Sequence, residues 1–291
     1  MIDSFLKYLR YEKRYSEHTL IAYQNDLTQF QAHLEEVFEI SNLHEAKHSH
    51  LRSWVVSLID QQVSPKSVNR KIATLKSFYK FLLVRDIIEA NPASRLKPLR
   101  SEKKLPTFVR ENDMVALLDH VVFEDSFSGY RDRLIMELLY GTGMRLSELS
   151  GLKDLDINTF QGTVKVLGKR NKERIIPLSD FIVKTIKDYQ QFRNREVGKS
   201  EYLIVTDSGE KLYPMLVYRT VKKYLDQFTT ISKKSPHVLR HTFATHLLNK
   251  GAELNAVKDL LGHTSLAATQ IYTHNSMEKL KSVFDQAHPK A

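Results

Sequence analysis

The chain of 291 residues contains no cysteine. That excludes a disulfide framework, a thiolate nucleophile and thiolate-ligated zinc. Long hydrophobic runs are missing as well. A membrane span needs about 20 consecutive apolar residues, and stretches such as Phe81, Leu82, Leu83, Val84 are cut by charge within a few residues. Residues 1–7 lack the basic-then-apolar order of a signal peptide, so a cytoplasmic protein is expected. Internal repeats and low-complexity tracts are absent. Carboxylates are missing at one informative place. No Asp or Glu lies between Ser232 and Lys250, although His237 and His241 sit there at i,i+4 spacing. Val238 follows the first histidine where a zinc protease carries glutamate, so a zinc hydrolase is not supported and no metal is expected.

What the chain has is positive charge. Its 44 Lys and Arg against 34 Asp and Glu leave a net charge of +10, which points to an anionic partner. The excess is uneven. Residues 1–65 carry six basic and nine acidic side chains, a net of −3; residues 66–104 carry eleven and three, +8; the remainder carries 27 and 22, +5.

The hydrophobic pattern divides the chain in two. The first part, 1–96, reads as four helices. Apolar residues recur at helical spacing through Leu20, Tyr23, Leu27, Phe30 and Leu34 behind a capping Ser16. Ser49 is expected to cap the third helix, and Ser64-Pro65 to open the fourth. That fourth helix carries Val68, Ile72, Leu75, Tyr79 and Leu82 on one stripe. Lys66, Arg70, Lys76 and Lys80 lie on the opposite face, with Asn69 and Ser77 among them. A basic face opposite an apolar one suits either a phosphate backbone or plain solvation. Residues 97–106, punctuated by prolines, are expected to be a linker. Residues 107–291 read as mixed: helices at about 111–121, 130–140 and 145–152, strands at 155–157, 163–166 and 173–176, then helices at 180–192, 216–228, 236–249 and, at the end, 276–286.

Five places in this second part hold titratable groups in suggestive settings. Arg145 follows Gly141-Thr142-Gly143 at a helix start, where free N–H groups and a guanidinium fork suit a phosphate; taken alone, an Arg145–Glu148 surface pair is the simpler account. Lys169, Arg170, Lys172 and Arg174 crowd a hairpin opened by Gly168, which is either a turn or a finger reaching for phosphates. His237 and Arg240 share one face in the first turn behind Ser235-Pro236 and can converge on one anion. His263 sits in a tight turn after Gly262, and Tyr272 lies nine residues on. Taken together, arginines can neutralise a pentavalent phosphate, a lysine or histidine can protonate the leaving oxygen, and a tyrosine can be the nucleophile.

The ordered set Arg-x-Ser-Glu-Leu, Gly-Lys in a hairpin, His-x-x-Arg-His-x-Phe-Ala-Thr-His, Leu-Gly-His and Tyr-Thr-His resembles the tyrosine recombinase (phage integrase) family, and within it the Xer-type site-specific recombinases. The resemblance implies a mainly α fold with a small antiparallel sheet. An N-terminal four-helix, SAM-like DNA-binding domain and a mixed α/β catalytic domain would form a C-shaped clamp. It implies that Arg145, Lys169, His237, Arg240 and His263 are catalytic and that Tyr272 is the nucleophile, without metal, ATP or other cofactor. The hairpin departs from the usual Gly-Lys-Gly-Asn-Lys in having Arg170 at the second glycine. The implied partners are a double-stranded DNA recombination site, a homo- or hetero-tetramer with a second Xer-like recombinase, and an FtsK-type translocase. The implied task is resolution of chromosome dimers through a 3′-phosphotyrosine and a Holliday junction. The helix at 276–286 would dock on a neighbouring protomer or on its own domain. A mobile-element integrase, a type IB topoisomerase and a non-catalytic accessory factor are the competing readings.

Overall fold

Serine followed by proline opens two of the helices that matter most here. At Ser64 the hydroxyl accepts the Ser67 N–H at 3.3 Å. Pro65 takes the first helical position, where an N–H would have had no helical partner. The computed structural model describes residues 1–100, 107–168 and 173–262. They fall into two units, Met1–Lys104 and Leu105–Ala291, each with its own apolar core.

The first unit holds α1 (Ile2–Tyr11), α2 (Glu17–Phe38), α3 (His48–Asp60) and α4 (Pro65–Val84). The stripe of Val68, Ile72, Leu75, Tyr79 and Leu82 is buried, as its spacing predicts. Phe5, Phe30 and Phe78 are fully enclosed, each contributing about 1.5–3 kcal/mol of burial. One start differs from expectation. α3 begins at His48 rather than behind Ser49, because the Lys47 N–H donates to His50 Nδ1 at 3.2 Å and the histidine does the capping. Two polar residues of α4 do more than face solvent. Asn69 exchanges two hydrogen bonds with the backbone of Leu99, at 2.9 and 2.7 Å, and straps the basic segment 95–100 alongside its own helix. Asp26 of α2 is fully buried and accepts from Arg70, from Lys71 at 3.0 Å and from Thr74 at 2.8 Å, all on α4.

The second unit holds α5 (Glu111–His120), α6 (Phe127–Thr142), α7 (Leu146–Leu149), β1 (Ile157–Asn158), β2 (Thr163–Leu167), β3 (Glu173–Pro177), α8 (Asp180–Glu196), α9 (Pro214–Phe228), α10 (Pro236–Asn249) and α11 (Leu254–Leu260). Helix α6 is its axis and packs against α8, α9 and α10. It is longer than its apolar pattern predicts. Ser126 accepts the Gly129 N–H at 3.2 Å and starts it early, while Gly141 and Thr142 remain helical. The stop is Gly143, whose left-handed φ of +59° is cheap only for glycine. The strands form an antiparallel sheet in the order β1-β2-β3. Val164 faces Ile176 and Val166 faces Arg174 on the buried side, with Lys165 and Ile175 on the other. Among the described residues, no helix is long and apolar enough to cross a membrane.

Candidate active site

The turn from α6 into α7 carries the first arginine. Thr142 Oγ1 donates back to the Leu138 carbonyl at 2.5 Å and accepts the Met144 N–H at 3.2 Å, which fixes the exit from α6. A Cβ on Gly143 would collide with the Phe243 and Leu261 side chains, so glycine is needed there for space as well as for φ. Arg145 is then extended and serves as the N-cap residue of α7. Its backbone N–H donates to Glu148 Oε2 at 2.7 Å, and its Nη1 donates to Oε1 at 2.8 Å. The i,i+3 pair visible in the sequence therefore forms, but around a carboxylate that is only 5% exposed.

A second arginine completes that carboxylate. Arg174 of β3 donates from Nη1 to Glu148 Oε1 and from Nη2 to Oε2, both at 2.8 Å, a fork-to-fork pair. Burial alone would raise the Glu148 pKa, but the hydrogen bonds from Arg174 and Arg145 outweigh it and bring it to about 2. The finger reading of the hairpin makes Arg174 a DNA contact. It is buried instead, because strand alternation puts it on the inner face with Ile176, and its guanidinium is committed to protein acceptors.

The third arginine comes from α10. Arg240 is 8% exposed and donates to the Gly143 and Leu261 carbonyls, each at 2.5 Å. No carboxylate pairs with it among the described residues. Burial lowers its pKa first, the neighbouring Arg145 second, and the value falls to about 10, so it stays charged at neutral pH. The three arginines meet at one short stretch of backbone. Arg174 Nε donates to the Leu260 carbonyl at 2.7 Å, Arg240 to that of Leu261, and Arg145 Nη2 to that of Gly262 at 3.2 Å. These carbonyls close α11 and immediately precede His263 in the chain. Three guanidiniums against one carboxylate leave a formal charge of +2 in the cluster. Described residues offer no acceptor to the remaining N–H groups of Arg145 and Arg240, and Arg145 keeps 24% of its side chain exposed. An oxyanion fits that arrangement.

His237 lies in the first turn of α10, one turn ahead of Arg240, with its ring exposed. Further along the same helix, His246 is buried between Val109 and Tyr140. Its Nε2 lies 2.9 Å from the Val109 carbonyl, which can only accept, so Nε2 carries the proton and Nδ1 accepts the Tyr140 hydroxyl at 3.0 Å. Burial lowers its pKa and keeps it neutral. Thr242 Oγ1 accepts the Val109 N–H at 3.0 Å, so the segment that enters this unit is bolted directly to α10. Lys169, Arg170, Lys172, His263, Tyr272, the helix expected at 276–286 and part of the linker, 101–106, lie outside the described residues. In the first unit Lys66 and Lys80 are exposed and Lys76 is half-buried, whereas Arg70 is engaged with Asp26. No group of three or more His, Asp or Glu suited to a metal ion occurs among the described residues.

Sequence reasoning missed Glu148 as the hub, the carbonyls of α11 and the buried partners of Asp26. The i,i+3 spacing of Arg145 and Glu148 is the part of this cluster that the sequence carries; Arg174 gives no such signal, since the strand has apolar residues in both phases.

Comparison with known proteins gives the arrangement a lineage. The phage integrase family matches residues 107–279, and the phage integrase N-terminal SAM-like domain matches 2–86. Tyrosine recombinase XerC of Chlorobaculum parvum is 37% identical, the alignment covering 100% of this chain and 94% of that protein. Tyrosine recombinase XerC of Staphylococcus epidermidis is 40% identical over 99% of this chain and 97% of the relative. Among solved structures, the XerH site-specific recombinase bound to a palindromic difH substrate, a post-cleavage complex, aligns with a TM-score of 0.73 at 22% identity, over 97% of this chain and 93% of that one. A lambda integrase dimer bound to a COC′ core site aligns at 0.69 and 18% identity, over 93% and 97%. These structural likenesses speak for the fold, and the full-length sequence relatives carry the assignment. The chain belongs to the tyrosine recombinase (phage integrase) family of DNA strand-transferring enzymes, in its Xer-type branch.

Proposed function

We propose that this chain is a site-specific recombinase that cuts and rejoins DNA through a 3′-phosphotyrosine on Tyr272 and resolves chromosome dimers at cell division. The observation that carries the chemistry is Arg240: a buried guanidinium, tied among the described residues only to carbonyl oxygens, beside Arg145 in a cluster of net charge +2. A buried cation without a counter-ion is costly unless an anion visits it. Arg145 and Arg240 would hold the non-bridging oxygens of the scissile phosphate and neutralise the charge that grows in the transition state, each worth ~10²–10³ in rate. Tyr272 would attack phosphorus as its phenolic proton leaves, with His237 and His263 as the nearby bases in the motif set. Lys169 would protonate the departing 5′-oxygen. The 5′-hydroxyl of a partner strand then reverses the step and forms a Holliday junction. Identity of 37–40% over the whole length with proteins named XerC supports the Xer-type reading; a second Xer-like recombinase in a tetramer and activation by an FtsK-type translocase are further parts of the proposal.

The test is a nicked suicide duplex bearing the dimer-resolution site of the same chromosome. Wild type should form a covalent complex and Tyr272→Phe none; a covalent complex in the variant would falsify the nucleophile, and binding without any complex in the wild type would favour an accessory factor. A mobile-element role predicts cleavage at element ends in place of that site.

A further inference from the structure

Arg174 is buried, yet it joins the Glu148 carboxylate that holds Arg145 to the end of α11, where Arg240 is also held. Its Nη1 and Nη2 fill one side of the Glu148 carboxylate, whose other side holds Arg145 by backbone and side chain. Its Nε takes the Leu260 carbonyl, the first of the three that also receive Arg240 and Arg145. Gly262 leaves room for it: a Cβ there would lie 3.2 Å from Arg174 Nη1 and 3.3 Å from Cδ, on a backbone already at φ +61°. Without the fork, Glu148 keeps the two hydrogen bonds from Arg145 and loses the other two, the ones that tie it to β3.

We propose that Arg174 is a positioning residue for strand transfer: from β3 it fixes Glu148, and through it the guanidinium of Arg145, and at the same time fixes the end of α11 that leads into His263. This rests on the reading of Arg145 as a ligand of the scissile phosphate. Lysine in its place keeps the charge but cannot bridge two carboxylate oxygens and a carbonyl at once. A small displacement of a group that neutralises a transition state is felt strongly in rate.

The experiment measures single-turnover cleavage by the full chain at saturating suicide substrate for wild type, Arg174→Lys, Arg145→Ala and the double variant, with DNA affinity and Tm alongside. Each is run on the natural phosphodiester and on a neutral methylphosphonate at the scissile position, where an arginine has less charge to neutralise. Arg174→Lys should slow cleavage at least tenfold with Kd within about twofold. The defect should shrink on the methylphosphonate, and the double variant should be no slower than Arg145→Ala. Equal defects on both substrates, or losses that multiply in the double variant, overturn the proposal and leave Arg174 a structural residue. If Arg145→Ala itself cleaves normally, the reading of Arg145 fails instead. Should Arg174→Lys melt below the assay temperature, Glu148→Gln cuts the same link from the other side and is judged by the same substrate comparison.

Discussion

In each unit a buried carboxylate gathers cations from elsewhere in the chain, Asp26 in the first and Glu148 in the second, and the two clusters do different things. In the first unit Asp26 of α2 takes Arg70, Lys71 and Thr74, all from α4. The cations end on the carboxylate and on Gln29 and Ala22 nearby, so the cluster staples two helices. In the second unit Glu148 takes Arg145 from its own turn and Arg174 from β3, while Arg240 joins with no carboxylate of its own among the described residues. A carbonyl oxygen orients a guanidinium without cancelling its charge. The first cluster is finished as folded; the second, on the function proposed above, is completed by the phosphate it would bind. A buried salt bridge therefore says little about role until each cation has been followed to its last acceptor.

The largest expected effects break that comparison in opposite directions. Arg240→Gln should lower cleavage by ~10²–10³ without lowering Tm, because it removes a desolvated charge that Arg145 and Arg174 repel. Asp26→Asn should destabilise the first unit by about 3 kcal/mol, as it leaves Lys71 buried without its charge partner. Its cleavage rate at saturating DNA should match wild type. Thermal melts and suicide-substrate assays on both variants check this. Loss of cleavage in Asp26→Asn, or a large fall in Tm in Arg240→Gln, would erase the distinction between staple and site.

The division between these clusters was only partly legible in the sequence. The helices of the first unit could be read because long amphipathic patterns survive any tertiary context; the stripe from Val68 to Leu82 is buried as spaced. Arg145 and Arg240 stood out through the turn and cap residues beside them. What could not be read were long-range pairings. Asp26 and Arg70 are 44 residues apart, and Arg174 and Glu148 are 26 apart. No local periodicity says that a strand cation will meet a helix carboxylate. Arg174 looked like a hairpin cation because Glu173-Arg174-Ile175-Ile176 has apolar residues in both phases; only the register with Val164 and Val166 decides which phase faces the core. Asn69 looked like part of a DNA-facing surface and proves to be the clasp on Leu99.

Acid should separate the units further. His246 is held neutral, its pKa lowered by burial, between the Val109 carbonyl and the Tyr140 hydroxyl, with the Glu111–Lys250 ion pair nearby. The unfolded chain takes up this proton near the ordinary value of about 6.5, and the folded chain only at lower pH. Stability from this site is therefore complete above the ordinary value and declines as pH falls below it. Melts between pH 8 and 5 should show the transition of the second unit moving down, and His246→Gln should flatten that dependence. An identical slope in the variant would show that other groups govern it.

The smallest effect concerns how the first unit meets DNA. Lys66, Lys76 and Lys80 share the outer face of α4, and the described residues give them no ion-pair partners. Asn69 straps the segment bearing Arg95, Lys97 and Arg100 beside that face. Lys66, Lys76 and Lys80 would then share one basic surface with Arg95, Lys97 and Arg100. Arg70 contributes less to it than its position in the sequence implies, because Asp26 already holds it. Counter-ions released by phosphate contacts make log K fall with log salt by about 0.9 per contact. Replacing Lys66, Lys76 and Lys80 with alanine should therefore flatten the salt dependence by up to ~2.7, with a nearly equal loss of affinity for specific and random duplexes, since such contacts read no bases. Arg70→Ala should change the slope by less than any one of the lysines and cost stability instead. If Arg70→Ala flattens the slope as much as a lysine does, then Asp26 is no more than a resting place for a DNA-binding arginine, and the two carboxylate clusters are alike after all.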